Sequence, residues 1–400
     1  MPYYRSVGEI PRKRHTAFRD AGGHRHVEEL MGQEGFSSSS ALLYHRQSPS
    51  AITAIEAVAS DDTQITPDFP VMPRHLRTTE LASAVDAVTG RHVLLANNDV
   101  RLAFVTASQS SPLYRNAIGD ELIYVQTGSA ELQSVFGRLA VGAGDYVVIP
   151  AGTTHRWVHE DAVAMLILEA KGHIAPPQRY LSGGGQFLEH APYCERDVRA
   201  PDEPFTAPDI DAHDDDADRC GGEPVSVLVR TRSGLSRHTH PTHPFDVVGW
   251  DGTLYPWALS IHDFEPIVGS VHQPPPVHQT FEGPGFVVCS FVPRPFDFHP
   301  DAVKVPYHHA NTDSDEVLFY SDGNFMSRAG SGISVGSISY HPAGFIHGPQ
   351  PGSYEASIEH DRTAELAVMV DTFAPLHVSD VARSISAPDY PWTWAREPTR

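Results

Sequence analysis

The chain has 400 residues, of which 40% are hydrophobic and 20% are charged, and this balance predicts a folded chain with room for two domains. A formal net charge of -21 argues against a nucleic-acid partner, although a local basic pocket for a small anion is compatible with it. No apolar stretch approaches the roughly 20 residues of a membrane span, so no membrane partner is predicted. The odd set Cys194, Cys220 and Cys289 is no disulfide framework, and with a polar, basic N-terminus it favours the cytoplasm.

In chain order, the sequence predicts an extension, a first barrel, a linker and a second barrel. Residues 1–97 mix polar turns with short strand-like pieces and are expected to pack on the first barrel, which occupies residues 98–175. Residues 176–222 form a linker with an acidic run at 209–218, and residues 223–400 form the second barrel with an aromatic C-terminal tail. Many short apolar runs, with 34 prolines and 31 glycines, favour an all-β architecture.

One pattern occurs twice, once in each predicted barrel. The first copy is Tyr114-x-Asn116-x4-Glu121-x6-Gly128, followed by Gly144-x5-Pro150-x-Gly152-x2-His155. The second copy is His309-x-Asn311-x4-Glu316-x6-Gly323, followed by Gly336-x5-Pro342-x-Gly344-x2-His347. The spacings agree position for position within each half of the pattern, so the chain contains a duplicated module.

The spacing of the pattern has a structural interpretation. In each copy the glutamate begins an apolar run of strand formers, and a Pro-x-Gly turn presents the last histidine. Antiparallel strands of a small barrel can bring these side chains together, because alternate residues point inward. Only the second copy starts with a histidine, so His309, Glu316 and His347 are predicted to bind one metal ion. Tyr114 stands at that position in the first copy, whose barrel is predicted to be structural, with a degenerate metal site.

The paired motif resembles that of the cupin superfamily, in which a metal lies inside a jelly-roll barrel. We therefore expect a bicupin, with two double-stranded β-helix barrels and an N-terminal extension. Two histidines and one carboxylate suit non-heme Fe(II), and zinc uses the same ligand types. Asp315 is an alternative carboxylate, but Glu316 is preferred because Glu121 has the same place in the first copy.

The order of several segments closely resembles the homogentisate 1,2-dioxygenase family. The resemblance covers most of the chain and is dense in residues 240–350. The segments that carry it are PFDVVGWDG at 244–252, VH at 271–272, VPYHHAN at 305–311 and HPAGFIHGP at 341–349, with ELMG at 29–32 and LYHR at 43–46 near the start.

The resemblance implies a reaction and a site. That family opens the ring of homogentisate with O2 to give maleylacetoacetate, in tyrosine and phenylalanine breakdown. It implies Fe(II) on the predicted ligands, with a small aromatic acid and O2 as substrates, and a homo-oligomer, trimer or hexamer. It implies His272 as a general base on a ring hydroxyl and His341 as a second-sphere histidine. The expected substrate-binding residues are Tyr307, Phe325 and Arg328.

Phe325 and Arg328 depart from the family, which has a tyrosine and a lysine there. A different hydroquinone or hydroxylated aromatic acid is therefore an alternative substrate. A cupin isomerase or hydrolase with another divalent metal and a non-catalytic ligand-binding bicupin are the remaining alternatives. Other histidines are predicted to be surface or pocket-rim residues of loops and not ligands: His238, His240, His243, His278 and His299.

Overall fold

The computed structural model describes residues 3–58, 63–206 and 224–395, so the predicted acidic run at 209–218 lies outside the described residues, as does Cys220. The described residues form 28 β-strands and two short α-helices, which confirms the predicted all-β class. No helix in these ranges is long and apolar enough to cross a membrane.

The strands are numbered in chain order. Up to residue 206 they are β1 (Arg5–Gly8), β2 (Val27–Gly32), β3 (Ser40–His45), β4 (Ala54–Ala57), β5 (Ile65–Thr66), β6 (Arg74–Arg77), β7 (His92–Ala96), β8 (Val100–Ala107), β9 (Tyr114–Asn116), β10 (Glu121–Thr127), β11 (Ser129–Ser134), β12 (Gly137–Gly142), β13 (Asp145–Ile149), β14 (His155–Val158), β15 (Val163–Ala170) and β16 (Val198–Arg199).

The remaining strands follow residue 224. They are β17 (Val225–Thr231), β18 (Gly234–His240), β19 (Val247–Gly252), β20 (Trp257–Ser260), β21 (Gln279–Gly283), β22 (Phe286–Phe291), β23 (Arg294–Pro295), β24 (Asp315–Asp322), β25 (Ser337–His341), β26 (Arg362–Thr363), β27 (Leu366–Thr372) and β28 (His377–Ser379). The helices are α1 (Ser353–Ser357) and α2 (Asp380–Ser384).

The two halves of the chain repeat one strand arrangement. In the first half, β10 lies between antiparallel β13 and β15, and β14 pairs with β11 and β9 in a second sheet. In the second half, β24 lies between antiparallel β25 and β27, and β27 also pairs with β22. The central strands are apolar and buried, which is why they occupy the middle of their sheets.

Segments from each part of the chain complete sheets in the other part. Strand β6, from the N-terminal extension, pairs with β25, and β28, from the C-terminal region, pairs with β7. Strand β20 pairs with β13 and also with β16, which lies in the described part of the predicted linker. Several sheets contain strands from both sides of residues 97, 175 and 222. The domain boundaries predicted at these positions stay predictions.

One hydrophobic core joins the two halves. Phe319 on β24 is 1% exposed, and its ring centroid lies 5.8 Å from that of Phe104 and 6.2 Å from that of Tyr124, both in the first half. The Tyr124 hydroxyl also lies 2.7 Å from the Ser321 hydroxyl. The sheet that carries Glu316 is therefore held by packing against the other half of the chain.

We expect Phe319→Ala to destabilise both halves together, by about 3–5 kcal/mol, because it leaves a cavity in the shared core. Chemical denaturation followed by tryptophan fluorescence should show one transition moved to lower denaturant. The control Phe298→Ala, at a side chain that is 70% exposed, should change the free energy of unfolding by less than about 0.5 kcal/mol. Two separate transitions, with only one moved, would contradict the shared core.

Candidate metal centre and its cavity

Glu316 lies on β24, opposite His341 on β25 and opposite Asp371 on β27. It is 4% exposed, and the apolar residues that follow it hold the strand in the core. A carboxylate buried at this depth is costly unless it is paired and hydrogen-bonded. The strand pairing therefore places a charge that requires a partner inside the second barrel.

The backbone brings His309 and His347 together beside this carboxylate. The two residues exchange both backbone N–H···O hydrogen bonds, each 2.9 Å long. The turn before His347 needs Gly344 at a φ of 80°, a left-handed conformation that favours glycine, and its N–H donates to the Asn311 carbonyl at 2.6 Å. The predicted turn thus presents the last histidine of the motif as expected.

The three predicted ligands converge on one point. Their ligand atoms all lie within 4.8 Å of one another. The Nε2 of His347 lies 3.2 Å from Glu316 Oε1, and the Nε2 of His309 lies 3.4 Å from Glu316 Oε2. The structure therefore assembles two imidazoles and one carboxylate, the donor set expected for a divalent transition metal.

The second nitrogen of each imidazole supports the same interpretation. His309 Nδ1 faces the Tyr307 carbonyl at 3.2 Å, and His347 Nδ1 faces the Phe345 carbonyl at 3.0 Å. Because a carbonyl only accepts, each Nδ1 carries the proton and each Nε2 directs a lone pair toward the carboxylate. A cation placed among these groups would be bound by all three of them. The residues present therefore fit a metal ion.

His341 supports Glu316 from behind. It is fully buried, and burial lowers its pKa to about 3, so the ring is neutral. Its Nδ1 donates to Glu316 Oε1 at 3.0 Å, and its Nε2 accepts from the Tyr390 hydroxyl at 2.9 Å. His341 also stacks on His347 with ring centroids 4.0 Å apart. It does not line the cavity, so its place is that of a positioning residue.

Tyr390 was not foreseen at the site. The aromatic tail was expected to form a clasp or a subunit contact and not to be part of an active site, but Tyr390 and Trp394 lie against His341, with Trp394 Nε1 donating to the Gly348 carbonyl at 3.1 Å. Trp392 is 63% exposed and stays available for a contact. The tail therefore closes the back of the metal centre.

Asp315, the alternative carboxylate, faces away from the cluster. It accepts from Tyr340 OH at 3.0 Å, from the Ala343 N–H at 2.8 Å and from the Leu376 N–H at 2.7 Å. Asp120 has the same role in the first copy, since it accepts from the Ala151 N–H at 2.8 Å. In both copies this aspartate holds the Pro-Ala-Gly turn, which leaves the glutamate as the ligand.

A cavity of about 250 Å³ adjoins the cluster. The predicted residues His272, Tyr307 and Arg328 line it, together with His309 and Glu316. Its other walls are both apolar and charged: Ile267, Val268, Gln273, Pro275, His278, Phe291, Arg294, Pro295, Phe296, Asp297, Lys304, Pro306, Asn311, Leu318, Ser327, Glu365, Met369 and Asp371.

His272 is held by an aspartate that the sequence did not indicate. Its Nδ1 lies 3.3 Å from Asp297 Oδ2, and its ring contacts Tyr307 edge-on at 5.3 Å. Tyr307 in turn lies 6.2 Å from the ring of His309. The loop predicted to hold His272 therefore places it at the cavity, next to the metal cluster.

The two residues that depart from the family occupy different places. Arg328 is 7% exposed, with Nε donating to Tyr320 OH at 2.9 Å and Nη1 donating to the Gly348 carbonyl at 2.7 Å. Phe325 packs edge-on against Tyr320 at 4.9 Å and does not line the cavity. Arg328 thus already donates two hydrogen bonds within the protein, and Phe325 lies outside the cavity, against Tyr320.

Some of the remaining histidines lie in other places than the sequence predicted. His278 was expected at the surface, but it is 8% exposed and lines the cavity, because its turn packs on β22. His238 and His240 were expected in a loop, but they end strand β18, where His240 is 7% exposed. Neither they nor His243 belong to a three-ligand cluster in the described part of the chain.

The first barrel holds an arginine where the second has its metal cluster. Arg91 donates to Glu121 through Nη1 at 2.8 Å and Nη2 at 3.0 Å, and to Glu169 at 2.9 Å. Tyr114 OH also donates to Glu121, at 3.1 Å. The Nε2 of His155 has no hydrogen-bond partner among the described residues. The guanidinium therefore gives the buried Glu121 carboxylate a cation, and the structural role of this barrel stays a prediction.

Comparisons with known proteins agree with this geometry. The Cupin_2 family model, a cupin domain, matches residues 104–170. A putative dioxygenase of Saccharolobus solfataricus is 39% identical over 398 residues, 98% of this chain and 99% of that protein. A homogentisate 1,2-dioxygenase of Rhodopseudomonas palustris is 26% identical over 348 residues, 82% of this chain and 72% of that protein. A cupin 2 conserved barrel domain protein from Leptotrichia buccalis aligns at a TM-score of 0.34 and 9% identity, over 76% of this chain and 98% of that chain, too weakly for inference.

The two barrels and the His/Glu/His cluster in one of them define a bicupin with a candidate metal centre, as predicted. The chain belongs to the family of cupin dioxygenases, to which the homogentisate 1,2-dioxygenases also belong, and is therefore an oxidoreductase. The resemblance found in the sequence is confirmed at this level.

We expect Glu316→Gln to abolish tight metal binding, because it removes the negative charge at the centre of the cluster. Metal content after loading and dialysis, measured by emission spectroscopy, should fall from one ion per chain to near zero. The matched control Glu121→Gln, at the equivalent position of the first copy, should keep its ion, and so should Asp315→Asn. Loss of the ion in Asp315→Asn with retention in Glu316→Gln would show that the wrong carboxylate was chosen.

Arg91→Met should destabilise the protein by about 3–5 kcal/mol, because it leaves Glu121 buried without a cation, whereas Glu169 keeps Arg230 at 3.4 Å. The control Arg237→Met, whose 4.0 Å pair with Glu56 is exposed, should change stability by less than about 0.5 kcal/mol. Urea denaturation measures both. An Arg91→Met protein as stable as the control would disprove the internal-cation role.

Proposed function

We propose that the protein is an Fe(II)-dependent ring-cleaving dioxygenase that opens homogentisate with O2 to give maleylacetoacetate. One observation carries the proposal: His309 and Glu316, two members of the His/Glu/His cluster, line the same cavity as the His272–Asp297 pair. A cavity with a metal-type cluster and an oriented histidine suits a phenol that must bind a metal and lose a proton. The relationship to homogentisate 1,2-dioxygenases supports the substrate.

His309, Glu316 and His347 would hold the iron. Bound there, Fe(II) would supply the redox chemistry of the reaction with O2. His341 holds the Glu316 carboxylate in place through its 3.0 Å hydrogen bond. Tyr390 keeps His341 in the matching tautomer, since its hydroxyl lies 2.9 Å from His341 Nε2.

His272 would act as the general base on a ring hydroxyl. If its Nδ1–H donates to Asp297 at 3.3 Å, its Nε2 lone pair is free to accept the hydroxyl proton. The Asp297 loop is itself tied down, because Lys304 Nζ donates to the Asp297 carbonyl at 3.1 Å. Leu318, Phe291 and Met369 supply apolar wall for the aromatic ring.

A different hydroquinone or hydroxylated aromatic acid is the second candidate substrate. Phe325 lacks a hydroxyl and lies outside the cavity, and two nitrogens of Arg328 already bind protein oxygens. These two positions therefore do not by themselves select homogentisate. A divalent-metal isomerase is less well supported, because it would not account for the relationship to dioxygenases.

The assembly and location follow from the same proposal. We predict a homo-oligomer, trimer or hexamer, and exposed apolar side chains near the cavity, such as Val271 and Ile346, offer contact surface. Sedimentation velocity tests the oligomer. A cytoplasmic location stays a prediction from the cysteine pattern.

Anaerobically iron-loaded protein should consume O2 with homogentisate and produce a maleylacetoacetate-like absorbance.

His272→Phe should keep its iron and bind substrate, but its turnover should fall by roughly 10²–10⁴-fold, as for loss of a general base. The control His360→Phe, at an exposed position, should be unaffected. Unchanged turnover and an unchanged pH profile in His272→Phe would remove the assignment. O2 uptake with another hydroquinone and none with homogentisate would favour the second candidate.

A further inference from the structure

His278 lines the cavity and has an unpaired ring nitrogen. It ends the short helical turn Pro275–His278 and is 8% exposed. Its Nδ1 is buried and has no hydrogen-bond partner among the described residues. Because buried polar atoms are nearly always paired, a nitrogen left free at a cavity wall indicates a ligand atom. Burial lowers the pKa of His278 to about 3, so the ring is neutral and one of its two nitrogens carries a lone pair that can accept a hydrogen bond.

Arg294 lies on the same wall. Its guanidinium carbon is 5.7 Å from the centroid of the Phe291 ring, and the His278 ring is 4.7 Å from that centroid. Its Nη1 donates to the Val292 carbonyl at 3.0 Å, and within the described ranges it forms no ion pair with a carboxylate. A largely buried cation without a carboxylate partner is suited to bind an anionic ligand.

The other cations of the cavity are engaged by the protein. Arg328 donates to Tyr320 OH and to the Gly348 carbonyl, and Lys304 donates to the Asp297 carbonyl. Glu365 also lines the cavity, and burial raises its pKa, which favours its uncharged form. Among the cations that line the cavity, Arg294 therefore has the most N–H groups that are not donated to protein acceptors.

We propose that Arg294 binds the carboxylate of the aromatic substrate and that His278 Nδ1 accepts a hydrogen bond from a ring hydroxyl. The proposal rests on the proposed function for the class of substrate, an aromatic acid with ring hydroxyls. It places the substrate carboxylate at Arg294, on the cavity wall next to Phe291, and not at Arg328. Specificity for acids over neutral hydroquinones then comes from one guanidinium.

The test is binding under argon, measured by isothermal titration of the iron-loaded protein. Homogentisate is compared with methylhydroquinone, which has the same two hydroxyls but no carboxylate. Arg294→Met should weaken homogentisate binding about 10- to 100-fold, the loss expected for a charge-assisted hydrogen bond, and should leave methylhydroquinone within about twofold. Arg294→Lys should recover part of the loss, because it restores the charge without the planar fork.

His278→Phe should weaken both ligands by a similar factor, since both carry hydroxyls. The matched control is Arg362→Met, an exposed arginine on the strand paired with that of Arg294, and it should bind both ligands as the wild type does. Thermal unfolding confirms that each variant is folded. The proposal is wrong if wild-type protein shows no preference for the acid, or if Arg294→Met keeps that preference. Admitting air afterwards tests ring cleavage separately, so binding that depends on Arg294 without O2 uptake would contradict only the proposed reaction.

Discussion

The structure depends on one constraint, which is that a carboxylate buried in the middle of a sheet needs a cation. Glu316 has imidazole nitrogens on both of its oxygens, at distances from 3.0 to 3.4 Å. Its counterpart Glu121 has the guanidinium of Arg91 at 2.8 Å and 3.0 Å. The duplicated module thus meets the same electrostatic requirement twice. One copy uses a fixed internal cation, and the other leaves a place that a metal ion fits.

The metal centre is supported by parts of the chain that lie far from it in sequence. The sheet that carries Glu316 gains a strand from the N-terminal extension and packs on the core of the first half. From the other end, Tyr390 fixes His341, which holds Glu316. The first barrel has no metal-type cluster in its described residues, but it contributes to the rigidity of the site in the second. This packing is a physical reason for the chain to keep its first barrel.

The two walls of the cavity carry different chemical groups. The wall with the metal cluster and His272 carries the groups that handle protons and a metal. The wall at Phe291 carries Arg294 and the unpaired nitrogen of His278. The overall charge of -21 does not reveal this arrangement, because the cavity of this acidic protein is lined by cations as well as by acids. A net charge therefore does not decide which small molecules a protein accepts.

The sequence alone determined the duplication, the candidate ligand set and the family. These follow from local rules: alternation along a strand, glycine at a turn, and two copies whose comparison selects Glu316 over Asp315. Only the tertiary structure decided which distant side chains meet. Arg91 reaches Glu121 across 30 residues, Asp297 reaches His272 across 25, and Tyr390 reaches His341 across 49. No spacing rule predicts these contacts, because they depend on how strands pair and pack, and for the same reason His278 was placed at the surface when it lies inside.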